Sequence, residues 1–223
     1  MLPLWLKRSW HQRRLKDPAY AFLFEPPPPD EAVSFDCETT GLDRSRDDIV
    51  SIAAVRIKGN RILTSKRFEA FIRPTAKMNP EAIKIHGLRE RDVATGHALA
   101  EVLPQFLQFV GSRPLIGYYL EFDCAMVDRY LWRWLGIELP NPRIEVSGLY
   151  YDRKYAGAPP GSHVDLTFTA ILDDLDLPRL DQHDAYADAL MTAMIYLRLR
   201  DLAERGQRIP RSLYQSRGAF TAG

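Results

Sequence analysis

The chain has 223 residues, 46% of them hydrophobic and 26% charged, with a formal net charge of +1. That is the balance of an ordinary globular protein and excludes a collagenous, low-complexity or strongly polyanionic chain. Cys37 and Cys124 are the only cysteines, so a disulfide framework is not expected, and a reducing cytoplasm is. No apolar run reaches membrane-spanning length, and the apolar opening Met1 to Leu6 is too short for a signal-peptide core, so no membrane association is expected.

Residues 2–20 set Trp5, Leu6, Trp10 and Leu15 among Lys7, Arg8, Arg13, Arg14 and Lys16, with Asp17 the lone acid, which predicts a short basic amphipathic helix. Its tryptophans are read as folding onto the domain with the charges facing water. Tracking a nucleic-acid backbone is the competing use. Pro26 to Pro29 form a stiff connector. The organisation expected is therefore an extension over residues 1–29, a main domain over 30–205 and a tail over 206–223.

Strands are predicted at 32–38, 49–58 and 61–72. Gly59-Asn60 marks a hairpin turn, Pro74 stops the third strand, and the three together read as an antiparallel meander. Helical periods follow at 80–86, 98–110, 124–135, 166–175 and 185–203, with short strands at 114–117 and 144–146. This order predicts an α/β layer fold with a mixed central sheet.

Asp36 and Glu38, at the end of the first apolar strand, are two residues apart and so share one face, while Cys37 points to the other. Two carboxylates side by side are costly unless a cation lies between them, and oxygen donors suit Mg²⁺ or Mn²⁺. A strand running out into a solvated acidic loop is the bland reading of this pair alone. Further along, Asp123 follows Phe122 and opens an apolar helix. Asp188 stands near the start of the last long helix, five residues after His183. Five residues are about 140° around a helix. His183 and Asp188 can converge only if His183 precedes the helix, with Asp184 as its N-cap.

The order Asp-x-Glu-Thr-Thr-Gly-Leu, then Phe-Asp before a helix, then His-x4-Asp-Ala resembles the DnaQ-like 3′→5′ exonucleases of the DEDD group, including the exonuclease domain of polymerase III epsilon subunits. The resemblance runs from Ala32 to Leu199 and takes in Ile85-His86-Gly87-Leu88. It implies a ribonuclease H-like fold and two divalent metal ions, Mg²⁺ or Mn²⁺, held by Asp36, Glu38, Asp123 and Asp188. His183 is implied as the general base; Asp184 excludes the subgroup that places a tyrosine there. Tyr186 reads as a core or pocket aromatic. Thr39, Thr40, Gly41, Leu42, His86, Tyr118, Tyr119 and Phe122 are implied to meet the substrate. Gly41 would allow close backbone approach, and His86 is equally readable as a helix C-terminal residue beside Gly87. The two-metal arrangement and a histidine suit hydrolysis of a phosphodiester.

Tyr118-Tyr119 stands where many family members carry His-Asn, which bears on substrate preference. Glu121 reads as a solvated extra acid. Gln105-Phe106-Leu107-Gln108-Phe109 and Gln215-Ser216-Arg217-Gly218-Ala219-Phe220 resemble sliding-clamp peptides. The first lies on a helix whose apolar residues are expected in the core, and the second has Gly218 where Leu or Met is usual. The function expected is release of nucleoside 5′-monophosphates from single-stranded or frayed DNA 3′ ends, in proofreading or repair beside a polymerase or clamp. The alternatives are an exoribonuclease on RNA ends and a non-catalytic nucleic-acid-binding adaptor, the latter disfavoured because all five motif positions are present.

Overall fold

The apolar stretch after the four prolines forms strand β1, Glu31–Thr39, in the computed structural model, which describes residues 4–181 and 183–211. On one side β2, Ile49–Lys58, and β3, Arg61–Phe71, pair antiparallel around the Gly59-Asn60 turn. On the other, β4, Leu115–Gly117, and β5, Arg143–Glu145, pair in parallel. The five-stranded mixed sheet has the order β3-β2-β1-β4-β5, with helices on both faces.

Eight α-helices are described: α1, Leu4–Arg14; α2, Pro80–His86; α3, Glu90–Val93; α4, Leu99–Val110; α5, Leu120–Leu135; α6, Val146–Lys154; α7, Phe168–Asp174; and α8, Ala185–Glu204. Alternation along β1 decides which helices it meets. Val33, Phe35 and Cys37 point into the core under α4 and α5, where the Phe35 and Phe106 rings lie 5.3 Å apart. The opposite face packs on α8, whose Met191, Ile195 and Leu199 share a core with α6 and α7. Phe106 and Leu107 are fully buried, so that glutamine segment is core. The segment 215–220 lies outside the described residues. None of the described helices is long and apolar enough to cross a membrane.

Helices α3 and α6 were not expected from the sequence, and α5 differs in where it begins. Helix α5 begins at Leu120 rather than Cys124, so Asp123 sits inside its first turn; Glu145 holds the Leu120 N–H at 2.9 Å and starts the helix early. Val146 starts α6 instead of ending a strand, because Glu145 also accepts from the Ser147 N–H at 3.1 Å as an N-cap.

The basic extension packs against α5. Trp10 stacks on Trp132 at 5.9 Å, and the Arg14 guanidinium lies over both indoles. Lys16 N–H donates to the Leu135 carbonyl at 3.0 Å. A 3-10 turn, Pro18–Phe24, inserts fully buried Leu23 into the main core. Arg8 ties these pieces together, donating to the carbonyls of Pro140 (2.9 Å), Leu23 (3.2 Å) and Glu25 (2.9 Å). At the other end Ile209 is buried, and its N–H donates to the Arg153 carbonyl at 3.2 Å. Arg8→Ala removes three charge-assisted bonds, and urea melts should show a loss of about 2 kcal/mol. An unchanged midpoint would mean that the extension does not hold the core through Arg8.

Candidate active site

Strand β4 pairs with β1 only at Val33 and Ser34, so the end of β1 that carries Asp36 and Glu38 has a free edge. The first turn of α5 lies beside it. Buried Asp123 adjoins Asp36 and Glu38, and the Cys37 peptide N–H faces its carboxylate. From the opposite face α8 contributes Asp188. Its N-cap, Asp184, accepts from the Ala187 N–H at 2.9 Å, and His183, at φ 67°, turns back so that its N–H donates to Asp188 Oδ2 at 3.0 Å. His183 therefore precedes the helix and Asp188 lies in its first turn, the one arrangement that lets them meet. Carboxylate oxygens of Asp36, Glu38 and Asp188 lie within 4.8 Å of one another. Asp123 stands beside this trio but outside that radius. Asp188 Oδ1 is buried without a hydrogen-bond partner among the described residues. The His183 side chain is exposed.

The loop after β1 is held by its own hydrogen bonds. Thr40 is fully buried, with its hydroxyl donating to Asp47 Oδ1 and accepting from the Asp48 N–H. Its own N–H and carbonyl are bonded to Asp48 and Asn79. Thr40 thus shapes the loop through all of its polar groups. Thr39 is also buried, with its hydroxyl on the Gly41 carbonyl at 2.7 Å. Gly41 is explained by Asp47: a Cβ there would lie 2.5 Å from Asp47 Oδ2, which is fixed by the Asp43 N–H. Leu42, by contrast, is 80% exposed.

His86 stands at a helix end, as one of its two readings expects. It ends α2 before Gly87 at φ 72°, and its ring packs against the end of β1. The Leu88 N–H donates to Nδ1, so the proton is on Nε2, which donates to the Thr39 carbonyl at 3.2 Å. Burial lowers the pKa of this imidazole and keeps it neutral. Tyr119 takes the left-handed conformation at φ 56° as the N-cap of α5, and it is 71% exposed. Tyr118 is anchored by its hydroxyl on the Leu166 carbonyl, and Phe122 lies under the Arg44 guanidinium. Glu121 is exposed but paired with Arg143 at 2.6 Å. Tyr186 is partly buried beneath Arg67.

Asp48 is the residue that sequence reasoning missed. Oδ2 accepts from Thr75 N–H, Thr75 Oγ1 and Ala76 N–H, and Oδ1 from the Tyr130 hydroxyl and Arg129. Burial raises its pKa, but bonds from Tyr130, Thr75 and Ala76 outweigh this and hold it at about 2. Arg129 continues to the carbonyls of Arg44 and Asp47. The loop bearing Leu42 is thus fixed to α5.

The profile of the RNase_T exonuclease family matches residues 33–196. The chain belongs to the RNase_T exonuclease family. It is 28% identical over 167 residues to a DNA polymerase III subunit epsilon of Aquifex aeolicus, covering 75% of this chain and 79% of that protein. It is 30% identical over 173 residues to a PolC-type DNA polymerase III of Caldanaerobacter subterraneus, covering 76% of this chain but only 11% of the relative. The chain thus spans about a tenth of the PolC-type polymerases that it matches. The fold is shared with the single-stranded DNA complex of E. coli exonuclease I in its zinc-bound form. The TM-score is 0.66 at 18% identity, over 80% of this chain and 42% of that one. The chain holds a DnaQ-like 3′→5′ exonuclease domain with a ribonuclease H-like fold.

In this exonuclease domain the carboxylates sit at a strand end among like charges. Burial first, then the Asp188 and Asp184 charges, raise the Asp36 pKa to about 8. Burial and the Asp36 charge raise Glu38 to about 9, burial raises Asp188 to about 6, and burial with Asp36 and Glu38 raises Asp123. An all-oxygen cluster, a strongly disfavoured set of like charges and the orphaned Asp188 Oδ1 together fit a hard divalent cation. A carboxyl whose folded pKa is raised binds its proton more tightly in the fold, so the fold loses stability as pH rises from the unfolded pKa to the folded one. The metal-free Tm should therefore fall between about pH 5 and pH 9, and Mn²⁺ should raise Tm more at pH 8.5 than at pH 5.5. A Mn²⁺ shift independent of pH would remove the cluster as the binding site.

Proposed function

We propose that this chain is a metal-dependent exonuclease that removes nucleoside 5′-monophosphates from the 3′ ends of single-stranded or frayed DNA. The observation that carries the reading is the convergence of Asp36, Glu38 and Asp188 within 4.8 Å beside an exposed histidine that precedes α8. The epsilon-subunit relative and the single-stranded DNA in the exonuclease I complex favour DNA and an association with replication.

Asp36, Glu38 and Asp188 would hold a divalent cation, with Asp123 completing the donor set for a second. A bound divalent cation supplies positive charge and Lewis acidity opposite a phosphodiester. His183 is exposed just ahead of α8, where its imidazole would accept a proton from the attacking water. The His183 N–H on Asp188 holds that carboxylate in register with β1. Leu42 and Tyr119, both strongly exposed, offer an apolar contact and a stacking face to the terminal bases. His86 acts behind them by fixing the Thr39 carbonyl.

With Mn²⁺ or Mg²⁺ and matched 5′-labelled DNA and RNA strands, the chain should shorten DNA one nucleotide at a time from the 3′ end. Asp36→Ala should abolish the ladder. A faster RNA ladder would transfer the reading to an exoribonuclease, and binding without any ladder would make the chain an adaptor. His183→Ala should lower the rate about 10²–10⁴-fold while keeping the Mn²⁺-induced rise in Tm. Loss of that rise would make His183 a metal ligand instead of a base.

A further inference from the structure

A large cleft lies away from the carboxylates. It runs along the outward face of α5, from Glu121 past Ala125 and Arg129 to Trp132 and Arg133, with α1 as one wall and Arg44 of the loop after β1 as the other. Two adjoining hollows share Lys7, Arg44, Trp132 and Arg143, so the cleft is continuous. Its two ends differ in character. Near the active site Arg44 lies over Phe122, the neighbour of Asp123, at 5.7 Å. At the far end the stacked indoles of Trp10 and Trp132 are 47% and 41% exposed. Asp123 and Trp132 are nine residues apart, about 14 Å along the helix axis.

Basic side chains outnumber acidic ones along this cleft in a chain of net charge only +1. Lys7 is paired with Glu138, and Arg143 with Glu121 and Asp128. Arg8 donates only to carbonyls, which leaves its charge uncompensated. The guanidinium groups of exposed Arg13 and Arg133 make no ion pair or hydrogen bond among the described residues. Positive charge interleaved with exposed aromatic faces is the pattern that holds single strands: phosphates follow the cations and bases stack on the rings.

Resting on the exonuclease reading, we propose that this cleft is a second subsite for single-stranded nucleic acid, which holds the strand upstream of the 3′ end between α1 and α5. The terminal nucleotides occupy the carboxylate site. The strand passes Arg44 and Phe122, and an upstream base stacks on the Trp10–Trp132 pair with its phosphates beside Arg13 and Arg133. The extension thus makes the domain prefer strands long enough to reach it.

The test uses the full chain as Asp36→Ala, which keeps the strand intact, and fluorescence anisotropy of 5′-labelled dT3 and dT15. The longer strand should bind at least tenfold more tightly and quench tryptophan fluorescence. Adding Arg13→Glu and Arg133→Glu should remove most of that difference, and Trp132→Phe should weaken dT15 while conserving the packing of α1. Equal affinity for the two lengths, or dT15 binding indifferent to the charge reversals, would overturn the subsite. So would displacement by polyglutamate as effective as by unlabelled dT15 at equal charge, which would assign the cleft to an acidic peptide. The 3′-end ladder of the wild-type chain is scored separately. Length-dependent binding without a ladder would sink the exonuclease reading and leave the cleft standing, and a ladder without length dependence would do the reverse.

Discussion

Everything at the site depends on the end of β1 being paired on one side only. Antiparallel β2 accompanies the strand through Thr39, but β4 stops opposite Ser34. A fully paired central strand would have enclosed Asp36 and Glu38 between neighbouring strands. Here the vacated edge admits the start of α5, while the face beneath receives the start of α8. Three elements bring like charges into one small volume, against the electrostatics that would normally scatter them. The fold tolerates this because the apolar alternation of Val33, Phe35 and Cys37 anchors the same strand from the opposite face.

The rigidity of the surrounding loop has a similar origin. Asp48 satisfies the backbone of Thr75 and Ala76 and the side chains of Tyr130 and Arg129, so one buried carboxylate links the loops after β1 and β3 to α5. Because its hydrogen bonds outweigh the cost of burial, the pKa of Asp48 is lowered, whereas burial and like charges raise those of Asp36 and Glu38. Two kinds of carboxylate thus lie within one short segment of chain. One is satisfied by protein donors, and the others lack enough of them.

Local rules made much of this legible. A period of two placed Asp36 and Glu38 on one face, and a five-residue spacing required His183 to stand outside α8. Turn residues separated β2 from β3. What stayed hidden depends on partners distant in sequence. Asp47-Asp48 looks like any acidic loop until Thr40, Thr75 and Tyr130 are brought to it. That Thr40 is tied to Asp47 through its hydroxyl is equally hidden in the sequence. Helix α6 was missed altogether, in part because Glu145, an apparent strand residue, caps it. The α5 cleft was equally invisible, since it is formed by α1 and by a loop more than thirty residues later.

The donor set has a further consequence for the life of the chain. Asp36 and Glu38 leave the ribosome early, whereas Asp188 arrives on the last helix, whose docking against β1 completes the cluster. While domains assemble from the N-terminal end, the nascent protein holds an incomplete set of donors and no His183. In the proposed mechanism nuclease competence therefore arises only when α8 docks, because Asp188 and His183 come with it. A polypeptide interrupted before that point would carry the acidic strand motif without two of the proposed groups.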